Sequence, residues 1–211
     1  MEIRWLGQSC FEIKSKASVI VTDPYSDKIG FTLPQLSADI LTISHDHYDH
    51  NAKEKVNANK IITAPGEYEV GEIKILGILS DHDNSGGVER GKNIIFRFLV
   101  DEISILHLGD FGAAKLTDIQ LNEIGTVDIL MIPVGGKYTI DTREAGDLIK
   151  AIEPKIIIPM HYKIPGLTID INPVDEFVKA INLHPEKMDT LKISAETLPV
   201  DKPRLVVLNK V

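Results

Sequence analysis

The stretch Ser44-His45-Asp46-His47-Tyr48-Asp49-His50-Asn51 constrains this chain more than any other, because three imidazoles and two carboxylates fall within six consecutive residues directly after the apolar run Ile40–Ile43. Neutral imidazole is the commonest ligand for borderline cations such as zinc, and carboxylate adds the harder oxygen that a water-activating ion tolerates. If the chain stays extended beyond the strand, His45 and His47 project to one side and can hold one ion. Asp49 and His50 then fall on the following turn and can reach another. A fold that uses this block must carry further donors to the same strand end.

The rest of the chain repeats that placement. Ile3–Leu6, Cys10–Ile13 and Val19–Val21 are short apolar runs broken by Gly7 and the Lys14–Lys16 turn, as in consecutive antiparallel strands. The third ends at Thr22-Asp23-Pro24, where Asp23 either orients a ligand histidine or starts a turn. An irregular connection with a short helix is expected over Tyr25–Ser37, a strand over Asp39–Ser44 and helix over Asn51–Asn59. Strands Lys60–Thr63 and Glu72–Leu79 follow, the second running into Ser80-Asp81-His82-Asp83-Asn84-Ser85-Gly86-Gly87. Alone, His82 is a loop residue; beside the earlier cluster it is a candidate ligand.

Asn93–Val100 and Ile103–Leu106 form an expected hairpin that delivers His107-Leu108-Gly109-Asp110. Asp110 stands where a carboxylate can bridge two cations, whereas His107 fits a satisfied core histidine or one that orients a ligand. Lys115–Ile124 is a candidate helix and Val127–Val134 a buried strand, and Gly135-Gly136 either makes a turn or cradles substrate. Thr142–Ile152 reads as a helix capped by Thr142. The aliphatic strand Lys155–Met160 then stops at His161-Tyr162-Lys163, the fourth strand to end on a possible ligand. Pro173–Ile181 is an amphipathic helix with Asn172 as its cap, His184 lies in a polar linker, and Leu191–Ala195 and Leu205–Leu208 close the chain.

Composition narrows the class. A chain of 211 residues with 43% hydrophobic and 26% charged residues suits one globular domain spanning 1–211, built as α/β with two sheets face to face, helices outside and the site along the shared edge. A net charge of −8 opposes polyanion binding. Cys10 is the single cysteine, so no intramolecular disulfide forms. No apolar run reaches bilayer length and the start lacks a signal-peptide core, so a cytoplasmic location away from membranes is expected.

These residues resemble the metallo-β-lactamase superfamily of αββα-sandwich hydrolases. The resemblance is carried by Asp23, His45-x-His47-x-Asp49-His50, His82, Gly109-Asp110 and His161, in the family's order and across most of the chain. Trp5-Leu6-Gly7-Gln8-Ser9, His107-Leu108-Gly109-Asp110, Pro133-Val134-Gly135-Gly136 and Pro159-Met160-His161-Tyr162 look like the branch that includes ascorbate-6-phosphate lactonase and related metal-dependent hydrolases. It implies two mixed β-sheets, with His45, His47 and His82 on one divalent ion, Asp49, His50 and His161 on a second, and Asp110 between them. Diiron oxygen-reducing relatives carry a carboxylate at position 47, so His47 favours zinc or manganese hydrolysis. The His82 loop departs from the Gly-His pattern of many relatives, and the clamp of exonuclease-type relatives is missing.

The implied chemistry is hydrolysis by a hydroxide bridging two ions, oriented by Asp49, on a small anionic ester such as a phosphorylated lactone or phosphodiester. The alternatives are nucleic-acid cleavage with weak β-lactamase activity, disfavoured by charge, and a non-catalytic metal-binding scaffold. Asn84, Lys137, Tyr138 and Tyr162 lie beside the ligand loops as candidate substrate contacts.

Overall fold

A computed structural model describes all residues from Met1 to Val211. The first sheet is built from β1 (Glu2–Gly7), β2 (Cys10–Lys14), β3 (Val19–Thr22), β4 (Leu36–Thr42), β5 (Val56–Ile62) and, from late in the chain, β13 (Thr190–Lys192). Its spatial order is β13-β1-β2-β3-β4-β5. The opening strands pair antiparallel as their turn chemistry predicts, and β3, β4 and β5 then run parallel.

The second sheet contains β6 (Gly66–Val70), β7 (Ile73–Asp81), β8 (Lys92–Val100), β9 (Ile103–His107), β10 (Ile129–Pro133), β11 (Ile156–Met160), β12 (Pro185–Met188) and β14 (Arg204–Leu208). Its order is β12-β14-β11-β10-β9-β8-β7-β6. Strands β9, β10 and β11 are parallel. Since β8 is antiparallel to β9 and β7 antiparallel to β8, β7 runs with β9. The C-terminal ends of β7, β9 and β11 therefore reach one edge, where the ends of β3 and β4 of the first sheet also arrive.

Strands β9, β10 and β11 are buried at every residue, as expected of central strands covered on both faces. One core joins the facing sides of both sheets, with Trp5, Phe11, Ile20 and Ile40 on the first and Phe96, Phe98 and Ile105 on the second. The helices α1 (Asp118–Ile124), α2 (Thr142–Ile152) and α3 (Val174–Ile181) add Ile124, Leu148 and Phe177 to that core. The expected sandwich of two mixed sheets is therefore present, but its helical cover is unequal. The outer face of the first sheet, with Leu6, Cys10, Val21 and Leu41, packs instead against Tyr25, Ile29, Leu33, Leu167 and Ile171 from irregular segments around a 3-10 turn at Asp27–Ile29.

Several local expectations are corrected. Asn51–Asn59 is not a helix: a short 3-10 turn at Lys53–Lys55 leads into β5, whose backbone pairs with β4 although its side chains are mostly exposed. Asp141 caps α2 rather than Thr142, because Asp141 and Glu144 form a reciprocal capping box. Pro173, not Asn172, occupies the cap position of α3 and offers no side-chain bond.

Candidate metal centre

The block after β4 turns immediately. Ser44 and His45 leave the strand, and the N–H groups of His50 and Asn51 both donate to the His47 carbonyl. This puts the His45, His47 and His82 rings together, with centroids 4.6 Å apart for His45–His47, 4.6 Å for His45–His82 and 5.1 Å for His47–His82. One ligand atom from each of these three lies within 4.8 Å of the others, and the same holds for Asp49, His50, Asp110 and His161. The two groups are those that the resemblance implies.

One atom stands where they meet. Asp110 Oδ2 lies 3.1 Å from His50 Nε2, 3.2 Å from His161 Nε2, 3.5 Å from His82 Nε2 and 3.9 Å from His45 Nε2. Its backbone N–H donates to Asn93 Oδ1 at 3.0 Å, and the Asn93 amide in turn donates to the Leu108 carbonyl. Gly109 precedes it at φ 57°; a Cβ there would lie 2.4 Å from Asn93 Oδ1 and 2.6 Å from Ser44 Cβ, so glycine is needed for the loop to close this tightly.

Asp23 fixes the ring faces of two histidines. It accepts from the Ser44 N–H on Oδ1 at 2.8 Å and from the Ser44 hydroxyl on Oδ2 at 2.5 Å. Since that hydroxyl donates to Asp23, it accepts from His45 Nδ1, 2.9 Å away. His50 Nδ1 lies 3.0 Å from Asp23 Oδ2 and donates to it. Both rings thus donate through Nδ1 and turn Nε2 toward the cluster. Asp23 therefore holds the rings of His45 and His50, the position that its expected orienting role calls for.

His107 takes the other expected role. Its Nε2 donates to the Ser9 carbonyl at 2.9 Å, its Nδ1 accepts from the Gly109 N–H at 3.2 Å, and its ring meets Phe11 edge-on. It is a satisfied core histidine bracing the turn that carries Ser9.

The electrostatics of the cluster favour a cation. Burial works to neutralise Asp110, yet His161 and His50 outweigh it and hold the carboxyl well below its usual range. Burial likewise presses His50 to lose a proton, but Asp110 and Asp49 keep its pKa well above normal. His45, chiefly through burial and then through His50, is lowered to about 3. Nε2 of both His45 and His50 is buried with no hydrogen-bond partner. Unpartnered imidazole nitrogens around fixed carboxylates are donors suited to divalent metal, so the residues present fit such a group.

Three residues at the site hold the left-handed backbone region without being glycine: Gln8 at φ 53°, Asp23 at 38° and His161 at 52°. Such strain persists where surrounding bonds over-determine it. The Gln8 carbonyl accepts from Trp5 Nε1 at 2.8 Å and from the His161 N–H at 3.1 Å, while its side-chain amide donates to Asp49 Oδ2 at 2.9 Å. Gln8 was visible only as part of the Trp5–Ser9 block, with no charge or metal-ligand chemistry to mark its role.

The cluster opens into a cavity of about 520 Å³ lined by His47, Asp49, His82, Asp110 and His161 together with Tyr48, Tyr138, Arg90, Thr168, Ile169 and Asp170. Of the candidate substrate contacts only Tyr138 lines it. Lys137 is held by Asp170 at the rim, at 2.5 Å. Asn84 lies outside the lining and accepts from the Ala114 N–H. Tyr162 is corrected: it is buried, stacks on Trp5 at 4.8 Å and lines a separate groove behind His161 with Phe31 and Lys210. Arg90, Thr168 and Asp170 were missed because they lie far in sequence from any ligand motif or in an ordinary polar loop.

Two mixed sheets with buried histidines and carboxylates gathered where their strand ends meet define the metallo-hydrolase class. The chain belongs to the β-lactamase superfamily, whose domain model matches residues 2–161. It is 36% identical to a Thermotoga maritima crystal structure classed as a Zn-dependent hydrolase of the metallo-β-lactamase superfamily, covering 98% of each chain with a TM-score of 0.80. It is 31% identical to a UPF0173 metal-dependent hydrolase of Thermoplasma volcanium, over 77% of this chain and 83% of the relative. A UPF0173 protein of Pyrococcus furiosus is 28% identical over 86% and 90%. The chain is accordingly a metal-dependent hydrolase. No helix is long and apolar enough to cross a membrane.

Proposed function

We propose that this hydrolase is dinuclear, binding zinc or manganese, and acts on a small anionic ester such as a phosphorylated lactone or a phosphodiester. The observation that supports it is the position of Asp110 Oδ2 among four imidazole nitrogens drawn from both ligand groups. His45, His47 and His82 would hold one ion and Asp49, His50 and His161 the other, with Asp110 shared. When bound, divalent ions supply a water of lowered pKa and a Lewis acid for the substrate's carbonyl or phosphoryl oxygen.

The chain's own residues do the rest. Gln8 donates to Asp49 Oδ2, the oxygen that also faces His50 and His161, and so fixes the carboxylate that would bind metal and orient the attacking water. Asp23 keeps the Nε2 faces of His45 and His50 turned to the cluster. The cavity volume is that of a small-molecule site.

The test is metal analysis followed by lactone, phosphodiester and β-lactam assays on wild type and Asp110→Ala. The proposal expects two ions per wild-type chain, turnover of an anionic ester and a loss of at least about 100-fold in the variant. Unchanged activity in Asp110→Ala contradicts it.

A further inference from the structure

We infer that Arg90 is the residue that selects the substrate's anionic group, binding a carboxylate or phosphate oxygen at the cavity mouth while the scissile group faces the metal ligands. This rests on the hydrolase reading above and adds a specificity element to it. Arg90 is the only cationic side chain among the residues lining the cavity, where Asp49, Asp110 and Asp170 are the acids. The nearby Lys137 is already engaged by Asp170.

Arg90 is held in place but not used up. His82 and Arg90 sit at the two ends of one closed loop wound around the carboxylate of Asp83. Asp83 Oδ1 accepts from the N–H groups of Ser85 and Gly87 at 2.8 and 2.9 Å, and Oδ2 from those of Glu89 and Arg90 at 3.0 and 2.8 Å. The His82 N–H closes the loop on the Gly91 carbonyl at 3.1 Å. Asp83 is buried, so the loop carries a fixed anchor, and the same anchor sets both a ligand histidine and a cation. The guanidinium lies over the Tyr138 ring at 5.8 Å. Its one acidic contact is a single 3.4 Å approach to Glu89, which is itself exposed and shared with Ser85. A guanidinium has five N–H donors, so a planar oxyanion can still be gripped at two points.

Calorimetric titration of the zinc-loaded full chain tests this with succinate, glutarate and adipate against butyrate, which has one carboxylate. 4-Phosphonobutyrate serves as the arm that separates phosphate from carboxylate preference. In wild type, one of the dicarboxylates or the phosphonate should bind about 10- to 100-fold tighter than butyrate, the span of one charge-assisted pair. That ratio should collapse toward unity in Arg90→Ala, survive in part in Arg90→Lys and invert in Arg90→Glu. A ratio unchanged in Arg90→Ala, or a wild type that never prefers the second anion at any length, overturns the inference. A protein that shows the Arg90-dependent ratio yet hydrolyses no ester would overturn the ester reaction and leave the anion site standing.

Discussion

Asp23 looks like a turn residue in Thr22-Asp23-Pro24, yet it sets the proton positions of two candidate ligands, one directly and one through Ser44. Asp23→Asn would place an amide N–H against the His50 Nδ1 proton and should weaken metal binding by about 10- to 100-fold. Competition with a chromophoric chelator measures it, and an unchanged affinity would contradict the orienting role. His107 yields a pH prediction. Both its nitrogens are matched to the neutral Nε2–H form, and burial lowers its pKa below 6.5. The unfolded chain takes up a proton near that value while the folded chain does not. Stability from neutral His107 is therefore complete above about pH 6.5 and declines as pH falls toward the folded pKa. Nitrogen NMR across a pH titration should place the His107 midpoint below the ordinary histidine value; a midpoint at or above it would contradict this. The candidate ligands were legible because metal donors are chemically distinctive. Gln8 and Arg90 were not, because an amide or a guanidinium acquires its role only from what the fold sets beside it.

At the scale of elements, legibility followed burial. Strands such as β9, β10 and β11 announce themselves as continuous apolar runs, and the β8–β9 hairpin falls where expected. Edge strands do not. β6 is mostly exposed and is fixed by a tight hairpin to β7, whereas β12 begins at Pro185 in what reads as a linker and β5 carries Asn57, Asn59 and Lys60 outward, so these two are fixed by backbone pairing to partners about 20 residues away. Helix ends follow single side chains. Asp141 accepts from the Glu144 N–H at 2.8 Å while Glu144 accepts from the Asp141 N–H at 2.8 Å. Asp141→Ala should therefore lower stability by about 1 kcal/mol in urea denaturation, with Thr142→Ala costing less. Equal losses in the two variants would contradict the observed cap.

For the whole molecule, the decisive arrangement is topological. Parallel β7, β9 and β11 in one sheet and parallel β3 and β4 in the other end at a common edge, so donors from residues 23 to 161 share one small volume. The sequence shows the repeated pattern of strand and ligand, but only the strand order decides which ends coincide. Crystals grown with zinc, with data collected across the zinc absorption edge, give the most direct measurement. The account predicts two anomalous peaks, one bounded by His45, His47 and His82, the other by Asp49, His50 and His161, with Asp110 between. A single peak, or zinc bound away from Asp110, would contradict it.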